Sequence, residues 1–265
     1  ASVAAGLSGD SGWILTAATL VVAGLLLVPG WIVGRSARLA ALPSLAVAPA
    51  LSSAIIAAAE ILAHTLALPW LPWGWAVIAG LTAVVALMAR LLVGAPPERA
   101  RRAASQGRAE WVILAAGLTV AVAVPAGVIL TVLPGPGYPA QVFDATFHLN
   151  AVAAIREGGN ASMLGGLSAL YSGRAVYYPT VWHGAVALAP GSPAPVSTAG
   201  VLALTAVVWP LSLLGLLARA TGLDAARASE TDRARRRQRA CAVAAVLALS
   251  AAVVGFPLLP MTALA

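Results

Sequence analysis

Side chains able to do chemistry are scarce in this sequence, and they cluster. Asp144 and His148 lie four residues apart in Phe143-Asp144-Ala145-Thr146-Phe147-His148, a spacing that puts both on one face of a helix. Val152 and Ile155 continue that face. Arg156 and Glu157 follow, and Gly158-Gly159 would end the helix. A second cluster runs Arg174-Ala175-Val176-Tyr177-Tyr178-Pro179-Thr180-Val181-Trp182-His183. A carboxylate can take a proton from an attacking group. Imidazole, guanidinium and phenol groups can donate hydrogen bonds to a phosphate or a sugar. The same residues have plainer uses: Asp144 as a helix cap, His148 as packing, the tyrosines and Trp182 as an aromatic interface belt.

Glu60 and His64 form another pair at helical spacing, inside an apolar run. Ionisable residues within a membrane span face protein or a water-filled cavity. The two either satisfy each other in the bundle or line a polar cavity that continues the outer site. No zinc signature, phosphate-binding loop, nucleophile elbow or paired-cysteine motif is present. Asp144 could bind a divalent cation, though no ligand spacing calls for one, and no other cofactor is expected. Cys241 is the single cysteine, so pairing reveals nothing of the redox compartment.

These residues must be carried by a membrane protein. Sixty per cent of the 265 residues are apolar and nine per cent are charged, with a mean hydropathy of +0.91, values outside the range of soluble domains. The charge-free runs 11–34, 39–59 and 111–143 could each cross roughly 30 Å of hydrocarbon as helices. Alternation of the kind found in membrane barrels is absent. The expected fold is all-α: a polytopic transmembrane bundle of about six spans, with short membrane-parallel helices in a long outer loop. Residues 1–134 hold helices one to four, starting near Trp13, Pro43, Trp75 and Trp111. Pro69 to Trp75 forms an aromatic turn, and Pro134 to Gly137 a helix stop. Residues 135–195 form the loop with the candidate active site, in which Pro179 opens a second short helix. Residues 196–265 hold helix five, kinked at Pro210, and helix six from about Ala240 towards Pro257 and Pro260. The chain begins without Met and ends in an apolar run, as a piece of a longer protein would, and it shows no cleavable leader.

Orientation follows from sixteen arginines and no lysine, a net charge of +7. With the N-terminus outside, all but Arg156 and Arg174 fall on the cytoplasmic side, as the positive-inside rule requires. The expected location is the plasma membrane, multi-pass, with the long loop extracytoplasmic. The run Arg235-Arg236-Arg237 is then a topology signal with some attraction for anionic lipid. Nucleic acid is not an expected partner, because no aromatic-basic interleaving accompanies the arginines.

In its Asp-bearing loop the sequence resembles the GT-C superfamily of polytopic membrane glycosyltransferases. The carriers are Phe143-Asp144-Ala145-Thr146-Phe147-His148 and Ile155-Arg156-Glu157-Gly158 after the fourth helix. Tyr177-Tyr178-Pro179 and His183 look like part of an actinobacterial membrane-protein family often assigned to that superfamily. The likeness covers about residues 111–220. In the superfamily the Asp-bearing loop follows the first membrane helix, whereas three further helices come earlier here. The resemblance implies transfer of a sugar from a polyprenyl-phosphate donor to a glycan or lipid acceptor of the cell envelope. Asp144 would be the general base, and inversion at the sugar would result. His148, Arg156, Arg174, Tyr177, Tyr178 and His183 would bind substrate, with Glu60 and His64 beside them. Two other readings fit the residues: a transporter or flippase for a lipid-linked or polar substrate, and a non-catalytic membrane subunit.

Overall fold

A computed structural model describes residues 10–94, 108–132, 135, 138, 143–223 and 230–255. The described chain is helical, without a strand; one isolated bridge joins Leu164 and Tyr177. Four long helices come first: α1 (Asp10–Ser36), α2 (Ala41–Thr65), α3 (Trp70–Val93) and α4 (Arg108–Val132). Two shorter ones, α5 (Phe143–Gly158) and α6 (Val181–Ala187), flank a 3-10 turn at Ser168–Tyr171. Then α7 (Pro193–Leu202) passes through a π segment, Ala203–Val208, into α8 (Trp209–Ala220), and α9 (Glu230–Gly255) closes the described chain.

Five stretches are long and apolar enough to cross a membrane: Gly12–Ser36, Ala41–Thr65, Trp70–Val93, Arg108–Thr131 and Pro193–Ala220. The protein is thus a helical membrane protein. The sixth expected helix starts earlier than its apolar run, because the arginine cluster is itself helical within α9. Among the expected features, Pro134, Pro136, Gly137, Arg99, Arg101, Arg102, Arg227, Pro257 and Pro260 lie outside the described residues.

Two departures from the sequence reading have local causes. The aromatic segment expected as a turn is the first part of α3, with a non-helical step at Leu71. Trp70 is buried there; its amide donates to Gly159 O at 2.7 Å and its indole N–H to Gly184 O at 2.9 Å. Tertiary partners outweigh the turn preference of Pro and Gly. Just before Pro210, where a kink is expected, the helix opens into a π segment. Proline has no amide to offer the preceding turn and crowds its carbonyl, and one wide turn absorbs both effects.

Small residues let the backbones approach. A side chain on Gly30 would run into the Ala48 carbonyl, and the Gly30 amide donates to Ser52 Oγ at 2.8 Å, so α1 and α2 pack as a tight hairpin. Gly117 of α4 faces the backbone of Ala244 in α9. Two cores result. One joins α1, α2, α3 and α7 with Ala151, Val152 and Ile155 of α5 and Ala185 and Val186 of α6. The other joins α4, α8 and α9 through Leu114, Leu214, Ala218, Val243 and Leu247.

The helix directions sort the polar residues into two ends. Arg38 donates from Nε to Gly94 O at 2.7 Å, and Arg35, Arg38 and Arg90 line one cavity. Arg108 and Arg237 line another. The opposite end of α2 and α3 carries α5, α6 and the segment between them.

Candidate functional site at the arginine-poor end

The segment 143–183 folds as its local signals direct. Asp144 sits in the first turn of α5, where a carboxylate favours the helix. Gly159 ends α5 in the left-handed region at φ +67°, its amide bonded to Ile155 O at 2.9 Å, as the Gly158-Gly159 pair led one to expect. Val152 and Ile155 are fully buried, so the face that carries Asp144 and His148 is anchored to the bundle.

The centre of the site is a pair of imidazoles. His148 Nδ1 and His183 Nε2 lie 2.9 Å apart, bringing α5 and α6 together. Phe147 and Trp182 approach His148 edge-on, at ring-centre distances of 5.8 and 5.7 Å. Tyr178 and Trp182 approach His183 the same way, at 5.7 and 5.0 Å. His183 is buried and its Nδ1 has no hydrogen-bond partner. A bare acceptor is cheaper to bury than an unmet N–H, which assigns His183 the tautomer whose Nε2–H donates to His148 Nδ1. His148 then carries its own proton on Nε2, where it can donate to a ligand.

Burial first, then the neighbouring His148, push the His183 imidazole down to about 4. Burial first, then Tyr171 and Asp144, hold the Tyr178 phenol above its ordinary range, so Tyr178 is a donor. Asp144 is exposed one turn before His148, and its influence on Tyr178 ties it to the same cluster. His148, Tyr178 and His183 are thus brought together, with Asp144 one turn before His148 on α5.

The other expected site residues fall elsewhere. Arg156 is structural in this state: its Nε donates to Ala187 O at 3.0 Å, its Nη2 to Ala189 O at 2.5 Å and its Nη1 to Gly191 O. It thereby satisfies carbonyls at the end of α6, and burial lowers its pKa from the ordinary guanidinium value. Tyr177 and Arg174 are exposed; Tyr177 points away from Tyr178, as successive residues of an extended chain do. His64 is exposed in the last turn of α2.

Glu60, by contrast, is buried and does not pair with His64. Its Oε2 accepts from Thr180 Oγ1 at 2.8 Å, and its Oε1 packs on Gly184 without a hydrogen-bond partner. Thr180, Gly184 and Trp70 are the supporting residues that sequence reasoning missed. Only Thr180 left a signal, a hydroxyl just before a short apolar helix, and there the hydroxyl serves Glu60 rather than the helix amides. Among the described residues no three His, Cys, Asp or Glu side chains converge as a metal site would require.

Fold and site together define a polytopic helical membrane protein with an acid–imidazole cluster at one end. Comparison with protein families is more particular: residues 23–265 match the family of unknown function DUF6541, and the chain belongs to that family. No curated protein and no solved structure matches the chain.

Proposed function

We propose that the protein is a GT-C-type inverting glycosyltransferase that uses a polyprenyl-phosphate sugar donor at the extracytoplasmic face of the plasma membrane. The observation that carries this reading is the packing of His148, Tyr178 and His183 together, with Asp144 one turn along α5, at the end of the bundle opposite the arginine-lined cavities. The resemblance of the Asp-bearing loop to that superfamily supports it, and so does the positive-inside rule.

The chemistry assigns each group a task. The acceptor O–H gives its proton to the Asp144 carboxylate as its oxygen bonds to the anomeric carbon. The bond from that carbon to the phosphate oxygen breaks, and its electron pair leaves with the lipid phosphate. Charge growing on the phosphate is met by His148 Nε2–H, its ring held by His183, and by the Tyr178 hydroxyl, its ring packed on Phe147 and His183. A lipid-borne donor suits a site held at the rim of a helical bundle.

A second reading, transport, draws on the wide π turn before Pro210, a local irregularity within one continuous spanning helix. Sealed vesicles of known orientation, given donor and acceptor on the outer side only, separate the two. Asp144→Asn is expected to lower product formation by about a hundredfold or more while leaving donor binding unchanged. Unaltered transfer in that variant removes Asp144 as base, and donor movement without product favours the transporter.

A further inference from the structure

Away from the candidate site, α1 and α3 leave an open apolar groove of about 520 Å³ between them. Leu20, Gly24, Val28 and Ile32 of α1 recur at four-residue spacing along its wall, as one helix face must. Ala79 and Thr82 of α3 face them. The Thr82 hydroxyl is spent on Ile78 O at 2.7 Å, so the lining offers carbon. From Leu20 to Ile32 the helix rises roughly 18 Å, close to the ~15 Å depth of hydrocarbon in one leaflet.

Ile32 also lines a second cavity, of about 340 Å³, whose other walls are Trp31, Arg35, Ser36, Arg38 and Arg90. Three guanidinium groups and, among the described residues, no carboxylate line that space. Two of them are held in place by backbone carbonyls: Arg35 Nη1 donates to Leu39 O at 2.5 Å and Arg38 Nε to Gly94 O at 2.7 Å. Each bond uses one of five N–H donors, leaving the rest for an anion. The Arg35 guanidinium lies 6.0 Å from the centre of the Trp31 ring, and the Trp31 indole donates to Ala41 O at 3.2 Å, so the rim is fixed as well.

We infer that α1 and α3 bind an anionic phospholipid, its acyl chain in the apolar groove and its phosphate on Arg35, Arg38 and Arg90. Ile32 lines both cavities, so they lie side by side along α1, an arrangement that suits a charged head and an apolar tail on one molecule. A free anion would have no use for the groove, and a purely apolar occupant would have none for the arginines. The site lies at the far end from Asp144 and does not depend on the proposed reaction.

The test uses the purified full chain, delipidated and then offered phosphatidylglycerol or phosphatidylcholine with identical acyl chains, with retained lipid counted by native mass spectrometry. The expected result is preferential retention of phosphatidylglycerol. Its loss by about tenfold or more is expected in R35Q/R38Q/R90Q, with R219Q, at the end of α8, unchanged. Gly24→Phe supplies the second arm: a side chain at Gly24 meets nothing within 4 Å, so the fold accepts it while the groove is filled, and retention of both lipids should fall. Wild-type retention of phosphatidylglycerol in the triple-arginine variant overturns the proposal. So does displacement of the lipid by inorganic phosphate alone. A Val28→Cys cross-link between two chains, in a Cys241→Ser background, would assign the groove to a second copy and overturn it too.

Discussion

His183 is neutral in the fold, and that has a pH consequence with a definite sign. Burial and then His148 bring its pKa down to about 4, against an ordinary 6.5 in the unfolded chain. Between these values the unfolded state binds more protons, so stability is complete above about 6.5 and is lost as pH falls towards 4. The loss has an upper magnitude of about 3 kcal/mol. Thermal melts of the detergent-solubilised protein across that window should show the decline, and His183→Gln should flatten it. An identical pH profile in wild type and variant would contradict the assignment. At this scale the sequence revealed Asp144, His148, Tyr178 and His183 as candidates, since their chemistry and spacing are written in the chain. It could not show that His148 bonds across to His183, 35 residues on, because that depends on how α5 docks beside α6.

The supporting elements are held by contacts that only the folded bundle creates. Glu60 looked like a partner for His64 because helical spacing was the only geometry available. In the fold the two side chains diverge, and Thr180, 120 residues away, takes the carboxylate. Gly184 leaves room for Glu60 Oε1 on the same side of α6. Gly184→Ala would place a methyl group on that oxygen and push α6 off α2. We expect a loss of about 1–3 kcal/mol of stability, together with a change in the environment of the neighbouring His183, read by imidazole NMR. A variant with wild-type stability and an unshifted His183 signal would contradict this packing. Arg156 teaches the same lesson. Its sequence neighbourhood suggested substrate binding, yet its planar fork serves three carbonyls at and just past the end of α6, a use that depends on a turn no local pattern announces.

Across the whole molecule, hydropathy and arginine placement were legible before any coordinates, because bilayer thickness and the positive-inside rule act on composition alone. Helix ends shifted by a few residues at most spans, and the larger differences, at Trp70 and before Pro210, came from tertiary contacts and proline's missing amide. Arginine placement already set the basic loops and the Asp-bearing loop at opposite ends; what it could not disclose is that the arginines line cavities and that the two imidazoles pair. The proposed reaction requires the donor phosphate at the imidazole end. A structure of the protein determined with a polyprenyl phosphate bound tests this most directly. The account predicts the phosphate within about 3 Å of His148 Nε2, with the Tyr178 hydroxyl turned towards it and Asp144 facing the open side. A phosphate seated only among Arg35, Arg38 and Arg90, with the imidazole pair untouched, would contradict it.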